Sequence, residues 1–291
     1  MQFVKMHGAG NDYVYVDTSI EQVDNPSALA VEVSSRHFGI GSDGLILIMP
    51  SEVADARMRM FNADGSEAQM CGNGIRCVAK YLYDRQRVPD TTIRIETAAG
   101  IRTIQVVPGA DGKVEKALVD MGTPQLRRGD IPMQGDPDTQ ALNVELKVGG
   151  ETFEVCCVSM GNPHCVVFVP DVEAFLVEKW GPLLEVHKSF PERTNVEFVE
   201  ILSRTAVKQR TWERGAGETL ACGTGASAVV VAAYLTERTE RSIVNHLRGG
   251  DLQMEYTPGG SVHMTGGATE VFQGEYSPHG SHGPNDPHGE R

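Results

Sequence analysis

The sequence predicts an α+β chain of two pseudo-symmetric lobes, each a mainly antiparallel β-sheet or barrel wrapped around a central helix, with the active site in the cleft between them. Three observations carry this. The run Phe61-Asn62-Ala63-Asp64-Gly65-Ser66-Glu67-Ala68-Gln69-Met70-Cys71-Gly72-Asn73-Gly74 has a second copy running from Trp212 through Glu218 to Cys222-Gly223-Thr224-Gly225. The offset is constant, since 222 − 71, 218 − 67 and 225 − 74 all give 151, and it also places Asn11 on Asn162, Arg59 on Arg210, Asn62 on Glu213 and Gly44 on Asn195. Each copy leads into a helix, 75–83 in one half and 226–235 in the other; the second is apolar on every face and so predicts a buried helix. The rest reads as short strands between Gly and Pro turns. At 291 residues the chain suits two lobes, each able to bury a core.

Composition narrows the function classes. Lys and Arg number 26 against 39 Asp and Glu, a net charge of −13, which disfavours an extended nucleic-acid or anionic-membrane surface. An anion site must therefore be local, built from helix ends and single arginines. No apolar stretch reaches membrane-spanning length, and residues 1–7 lack the apolar core of a signal peptide, so a cytoplasmic protein is expected. Six cysteines are too few for a disulfide scaffold.

The elements follow in order. Residues 3–6 and 13–17 read as strands around the turn His7-Gly8-Ala9-Gly10-Asn11-Asp12. Asn25-Pro26-Ser27 opens a helix running to residue 37: a cap residue, then Pro at the first position. A Gly-rich loop, 38–44, feeds the strand 45–49; no Lys-Ser/Thr or helix follows, which argues against nucleotide binding. The alternation in 56–61 is a strand that delivers Asn62 to the loop before Cys71. Strands at 92–96, 102–107 and 114–121 make an antiparallel meander around the first helix, and 121–138, rich in Gly, Pro and charge, reads as the linker. The second lobe repeats the plan with strands at 143–148, 152–158 and 165–169, a helix at 171–178, and strands at 196–201 and 206–212. Strands at 252–256, 262–265 and 268–272 follow its central helix, and 277–291, without apolar residues, is expected to be a disordered tail.

The chemistry centres on Cys71 and Cys222. A residue at a helix start faces outward-pointing N–H groups and partial positive charge, which binds carboxylates and lowers a thiol's pKa toward neutrality. Two such cysteines facing one cleft make a two-base pair: one removes a proton from a tetrahedral carbon, the other delivers one to the opposite face. The N–H groups of Gly72-Asn73-Gly74 and Gly223-Thr224-Gly225 could cradle the carboxylate into which charge develops. No Lys motif suggests a pyridoxal Schiff base, so no cofactor is expected. A zinc site from Cys71, Cys222, His164 and Glu213 lacks a C-x2-C partner, and a redox pair lacks C-x-x-C; single Gly-flanked cysteines at helix starts suit catalysis better. Cys77, Cys156, Cys157 and Cys165 read as core residues.

These motifs, together with Met160-Gly161-Asn162-Pro163-His164 and Glu213-Arg214-Gly215-x-Gly217-Glu218-Thr219, resemble the diaminopimelate epimerase family from Phe3 to about Tyr276. The resemblance implies a cofactor-independent isomerase that interconverts LL- and meso-diaminopimelate for lysine and peptidoglycan synthesis, with proline racemase-like activity on another amino acid as the alternative. It implies that Cys71 and Cys222 are the acid/base pair. Asn11, Asn62, Asn162, Asn195, Glu213 and Arg214 would bind substrate, with Gly72, Asn73, Gly223 and Thr224 on the reacting carboxylate. His164 and Glu213 would tune the site. The family pattern also implies a small-molecule substrate, no metal, a homodimer, and a last strand returning to the first lobe. The lobes would then be 1–122 completed by 266–276, and 123–265. One departure stands out: many members carry Gln where this chain has Gly44.

Overall fold

A computed structural model describes residues 1–277, so the tail expected from 277 lies, from 278 onward, outside the described residues. Contacts divide the chain into two compact units, Met1–Glu115 with the returning segment from Ala268, and Lys116–Gly267.

In the first unit, β1 (Gln2–Gly8) pairs antiparallel with β2 (Asn11–Asp17). Then β2 runs parallel to β3 (Gly44–Met49), β3 antiparallel to β4 (Ala56–Asn62), and β4 carries the short β5 (Glu67–Ala68). The start of β4 runs parallel to β6 (Thr92–Thr97), which pairs with β7 (Gly100–Pro108). The other edge is the late strand β18 (Thr269–Glu275), antiparallel to β1. Helix α1 (Pro26–Ser34) starts as the sequence expects, with Asn25 accepting the Ala28 N–H and Pro26 first. It ends before residue 37, because Ile40 and Gly41 donate back to the Val33 carbonyl and turn the chain. Helix α2 (Gly72–Asp84) packs against β1, β2, β6 and β7, with residues 72–82 all buried.

The second unit repeats the order. The pairs β9 (Val144–Val148) with β10 (Glu151–Ser159) and β10 with β11 (Pro163–Phe168) are antiparallel. Strand β11 runs parallel to β12 (Asn195–Ser203), and β12 antiparallel to β13 (Ala206–Glu213). Strand β13 carries β14 (Gly217–Thr219) and runs parallel to β15 (Ser242–Leu247). The sheet continues through β16 (Gly250–Tyr256) and β17 (Val262–Gly267). Helix α4 (Gly223–Leu235) packs against β10, β11, β12, β16 and β17, and its apolar faces are buried all round. The duplication is thus physical. Tyr13 opposes Gly44 as His164 opposes Asn195, and Phe61 opposes Glu67 as Trp212 opposes Glu218.

Four expectations change. The third meander strand, β8 (Val114–Gly122), pairs with β17 rather than β7, so the compact boundary falls at Glu115/Lys116, ahead of 122. The stretch 121–138 is not a loose linker: Gln125 bridges Ser159, Arg127 bridges Gln140, and Ile131 and Met133 enter the core with Phe198 and Trp180. The helix expected at 171–178 is α3 (Val177–Glu185). There the Asp171 carboxylate accepts the Glu173 and Ala174 N–H groups and folds a turn, and burial of Trp180 and Leu184 favours helix across Pro182. Strand β15 was not read from the sequence.

Candidate active site

Each cysteine is the N-cap of a central helix. Cys71 has φ −133° and ψ 117°, and its Sγ accepts the Gly74 N–H at 3.3 Å. Cys222 has φ −124° and ψ 113°, and its Sγ accepts the Gly225 N–H at 3.4 Å. A sulfur thus occupies the acceptor position that Ser or Asp fills at most helix starts. The glycine three residues on is closely approached by a side chain. A Cβ at Gly74 would meet Ile46 Cδ1 at 2.6 Å, and one at Gly225 would meet Glu197 Oε1 at 2.6 Å.

Around Cys71, Asn11 Oδ1 lies 3.5 Å from Sγ and accepts from Asn73 Nδ2 at 3.4 Å. The Asn11 amide donates to Asp43 Oδ2 at 2.8 Å, and Asp43 is held by Arg36 at 2.8 Å. Behind them the buried Arg76 guanidinium donates to the Gly72 carbonyl and to Asn73 Oδ1, both at 3.1 Å, fixing the first helical turn. Asn62 ends β4 opposite Gly44, and its side chain donates to Ser66 Oγ at 2.9 Å.

Around Cys222, Thr224 Oγ1 lies 3.4 Å from Sγ and Asn162 Nδ2 donates to that hydroxyl at 3.3 Å. His164 Nε2 is 3.0 Å from Asn162 Oδ1, and His164 Nδ1 is 2.8 Å from Glu197 Oε1; His164 and Glu197 are both 0% exposed. Glu213 Oε1 accepts from the Thr219 hydroxyl at 2.5 Å. Asn195 ties three segments, donating to the Pro163 carbonyl at 2.8 Å and accepting the Arg214 N–H at 2.9 Å. The exposed Arg214 donates to the Glu192 carbonyl at 3.0 Å.

The sequence suggested that a helix start would lower a thiol's pKa. At Cys222 the balance runs the other way. Burial, then the Glu213 and Glu197 carboxylates, push the thiol well above its ordinary value, and the bonds from Thr224 and Gly225 offset this only in part. Both causes favour the Cys222 thiol over its thiolate. Cys77 is a buried core thiol pushed up to about 11 by burial. Cys156, Cys157 and Cys165 are buried as expected.

The structure thus gathers Asn11, Cys71, Gly72 and Asn73 in one unit, and Asn162, His164, Cys222, Gly223 and Thr224 in the other. Glu197, Asp43 and Arg76 join them without having been read from the sequence. Glu197 had a signal: it falls on the same face of its strand as Asn195, where the 151 offset puts the apolar Ile46 in the first half. Gly44 is explained sterically. A Cβ there would meet the Phe61 carbonyl oxygen at 2.1 Å, so this backbone leaves no room for the family's Gln. A hollow of about 530 Å³ in the first unit, lined by Tyr15, Asp17, Tyr81, Arg85 and Arg87 among others, includes none of the predicted site residues. Among the described residues, no three His, Cys, Asp or Glu side chains converge as a metal site.

Two like units, each a sheet around a central helix, place the chain in the fold class that includes the PhzF-family proteins. A crystal structure of a Bacillus anthracis phenazine biosynthesis protein of the PhzF family matches with a TM-score of 0.70 at 18% identity, covering 95% of this chain and 99% of that one; at that identity the likeness is one of fold. The sequence narrows the class. Residues 3–127 and 156–271 match the family model described as diaminopimelate epimerase. Diaminopimelate epimerase from Agathobacter rectalis is 55% identical over 282 residues, covering 94% of this chain and 99% of that relative. The same enzyme from Acetivibrio thermocellus is 54% identical over 276 residues, covering 94% and 98%. The chain belongs to the diaminopimelate epimerase family.

Proposed function

We propose that this protein interconverts LL- and meso-2,6-diaminopimelate, a step toward lysine and peptidoglycan precursors, with Cys71 and Cys222 as its two acid/base groups. One observation carries the reading. In a chain of this family, two cysteines 151 residues apart cap two 13-residue helices and accept the same i+3 amide bond. A thiolate at one cysteine takes the α-proton, and the thiol of the other returns a proton to the opposite face. The carbon inverts and the cysteines exchange protonation states. Charge develops into the α-carboxylate, which the first-turn N–H groups of Gly72, Asn73, Gly223 and Thr224 hold, so the reaction needs no cofactor. The burial and carboxylates that favour the thiol form of Cys222 suit it to the proton-donor role. Asn11, Asn62, Asn162, Asn195, Glu213 and Arg214 would take the substrate's remaining polar groups, a guanidinium suiting the distal carboxylate. His164 and Glu213 would tune Cys222. Family resemblance further supports a cytoplasmic homodimer, which light scattering of the purified protein tests.

Incubation with LL-diaminopimelate in deuterated water tests the reaction. Wild-type protein is expected to produce both isomers with deuterium at the α-carbon. Cys71→Ala and Cys222→Ala are each expected to lose at least ~100-fold in rate, because inversion needs a proton carrier on each face. A single variant that interconverts the isomers at the wild-type rate removes that cysteine from the mechanism. Turnover of proline in place of diaminopimelate replaces the substrate.

A further inference from the structure

Four hydrogen bonds join a fully buried carboxylate to the Cys222 sulfur. They run from Glu197 Oε1 to His164 Nδ1 (2.8 Å), from His164 Nε2 to Asn162 Oδ1 (3.0 Å), from Asn162 Nδ2 to Thr224 Oγ1 (3.3 Å), and from Thr224 Oγ1 to Cys222 Sγ (3.4 Å). Glu197 Oε2 has no hydrogen-bond partner among the described residues, so His164 is the tether of this carboxylate. The 151 offset puts Ile46, Tyr13, Asn11 and Asn73 at the equivalent places in the first unit, and the carboxylate–imidazole end of the chain has no counterpart there.

We propose that Glu197 is a positioning residue of this site: by accepting the Nδ1 proton of His164 it commits the Nε2 edge to Asn162, and through the Asn162 amide and the Thr224 hydroxyl it sets which protonation state of Cys222 the chain supports. The inference rests on Cys222 being an acid/base group.

Two self-consistent directions follow from the donors and acceptors present. In the first, the Asn162 amide is turned over relative to the bonds above: His164 is neutral with its proton on Nδ1, Asn162 Nδ2 donates to Nε2, Thr224 donates its hydroxyl to Asn162 Oδ1, and the Cys222 thiol donates to Thr224. In the second, Nε2 also carries a proton and donates to Asn162 Oδ1, Asn162 donates to Thr224, and Thr224 donates to a Cys222 thiolate. The two hold the same number of protons: the one on Sγ in the first is on Nε2 in the second. With Glu197 ionised, the thiolate direction therefore requires an imidazolium, and the thiol direction does not. The groups bearing on Cys222 agree: Glu213 from β13 and Glu197 from β12 both disfavour a thiolate, and the first turn of α4 contributes no acidic side chain. Cys165, beside His164 on β11, points into the core with Cys157 and feels the Glu197 charge.

Glu197→Gln keeps the shape and removes this commitment. A Gln amide can accept from Nδ1–H or donate to a bare Nδ1, so a neutral imidazole then satisfies either direction. The experiment reads three quantities. In wild-type protein labelled with 15N-histidine, the His164 Nδ1 is expected to carry a proton across the pH range in which the protein is folded; in Glu197→Gln it becomes a mixture of Nδ1–H and Nε2–H tautomers. The pH midpoint for alkylation of Cys222 by iodoacetamide, followed by peptide mass spectrometry, is expected to move down by about one pH unit, because a nearby negative charge is gone and a thiolate no longer requires an imidazolium. The alkaline limb of kcat/KM moves down with it, while KM at neutral pH stays within about threefold, since no group in contact with substrate is removed. An unprotonated Nδ1 in wild type overturns the proposal without any variant, as does an unchanged tautomer and alkylation midpoint in folded Glu197→Gln. Absence of epimerisation by wild-type protein, with the tautomer and alkylation results intact, overturns the proposed reaction and leaves the Glu197–Cys222 coupling standing.

Discussion

Cys71 and Cys222 start helices of equal length with backbone angles within about 10° of each other, and the strands behind them pair in the same register. Arg59 grips Glu67 where Arg210 grips Glu218. The units part company one layer behind the cap. The atom pressed against the third residue of the helix is a methyl group of Ile46 in the first unit and a carboxylate oxygen of Glu197 in the second, each 2.6 Å from where a Cβ would stand. His164 bonds Glu197, and the offset places Tyr13 at the position of that histidine. Duplication therefore preserved the geometry that presents a sulfur, and a handful of side chains differentiated the surroundings of the two sulfurs. The Glu213 and Glu197 carboxylates bear on Cys222, whereas Cys71 has the Asn11 amide oxygen at 3.5 Å, an oxygen to which Asn73 also donates.

The comparison breaks hardest if the second unit's carboxylate is moved into the first. Ile46 is fully buried, and Glu at that position would stand without the histidine that Glu197 has. Ile46→Glu is expected to destabilise the protein by about 3–5 kcal/mol, the scale for an uncompensated buried charge. Adding Tyr13→His, which places an imidazole at the position equivalent to His164, is expected to recover part of the loss. Thermal unfolding of the single and double variants checks both. Recovery by Tyr13→His is the informative arm, since it appears only if the two barrels are superimposable in detail at this pair.

A smaller contrast comes from the two arginines. Arg210 is 16% and Glu218 9% exposed, and beyond its paired bonds to Glu218 at 2.7 and 2.9 Å, Arg210 donates to the carbonyls of Val172 and Phe175 at 3.2 Å. It therefore pins the turn that precedes α3. Arg59 and Glu67 are 31% and 42% exposed, with the guanidinium over the Phe61 ring at 5.0 Å. Arg210→Ala is expected to cost about 2–3 kcal/mol, from lost charge-assisted bonds and a half-buried Glu218 left to Arg248 alone. Arg59→Ala should cost under ~1 kcal/mol, because solvent replaces most of what is removed. Equal losses from urea unfolding would mean that the carbonyl contacts of Arg210 contribute nothing.

These same features explain how far the sequence could be read. The caps were legible because Cys-Gly-x-Gly followed by an unbroken helical run has few other foldings, and because the offset supplied a second, independent copy. The turn donors, Asn11 and Asn162, followed from the register. Other parts were hidden for physical reasons. Helix α3 has no side-chain cap and contains Pro182, so local signals pointed to the Asp171 turn before it, and only the burial of Trp180 and Leu184 decides for helix. The stretch 121–138 has a linker's composition, yet its few apolar residues, Ile131 and Met133, reach the core. The sequence placed Cys222 at a helix start and so suggested a lowered pKa. It could not weigh that against burial and two carboxylates, of which Glu197 arrives from a strand 25 residues upstream in the chain, since 222 − 197 is 25. Glu197 was marked only by the offset that places it on the apolar Ile46, and its burial became visible with the strand's inner face.

The smallest effect probes the far ends of the two central helices, where the units are most alike. Helix α2 closes with Arg87 N–H on the Leu82 carbonyl at 2.9 Å and Gln86 N–H on Tyr83, and α4 closes with Arg238 N–H on Ala233 at 2.9 Å and Glu237 N–H on Tyr234. Both are Schellman motifs, which place one residue in the left-handed region, and here that residue is Gln86 at φ 56° and Glu237 at φ 59°. Neither is glycine, so each carries a Cβ penalty of about 1–2 kcal/mol that glycine would relieve. Glycine also adds freedom to the unfolded chain, which takes back about half of the gain. Both residues are exposed, so little packing is lost. Gln86→Gly and Glu237→Gly are each expected to stabilise the protein by about 0.5–1 kcal/mol, read as a rise in the urea midpoint, and the double variant should show the sum because the sites share no partner. A gain at one cap and a loss at the other would show that the likeness of the halves stops short of the ends of their helices.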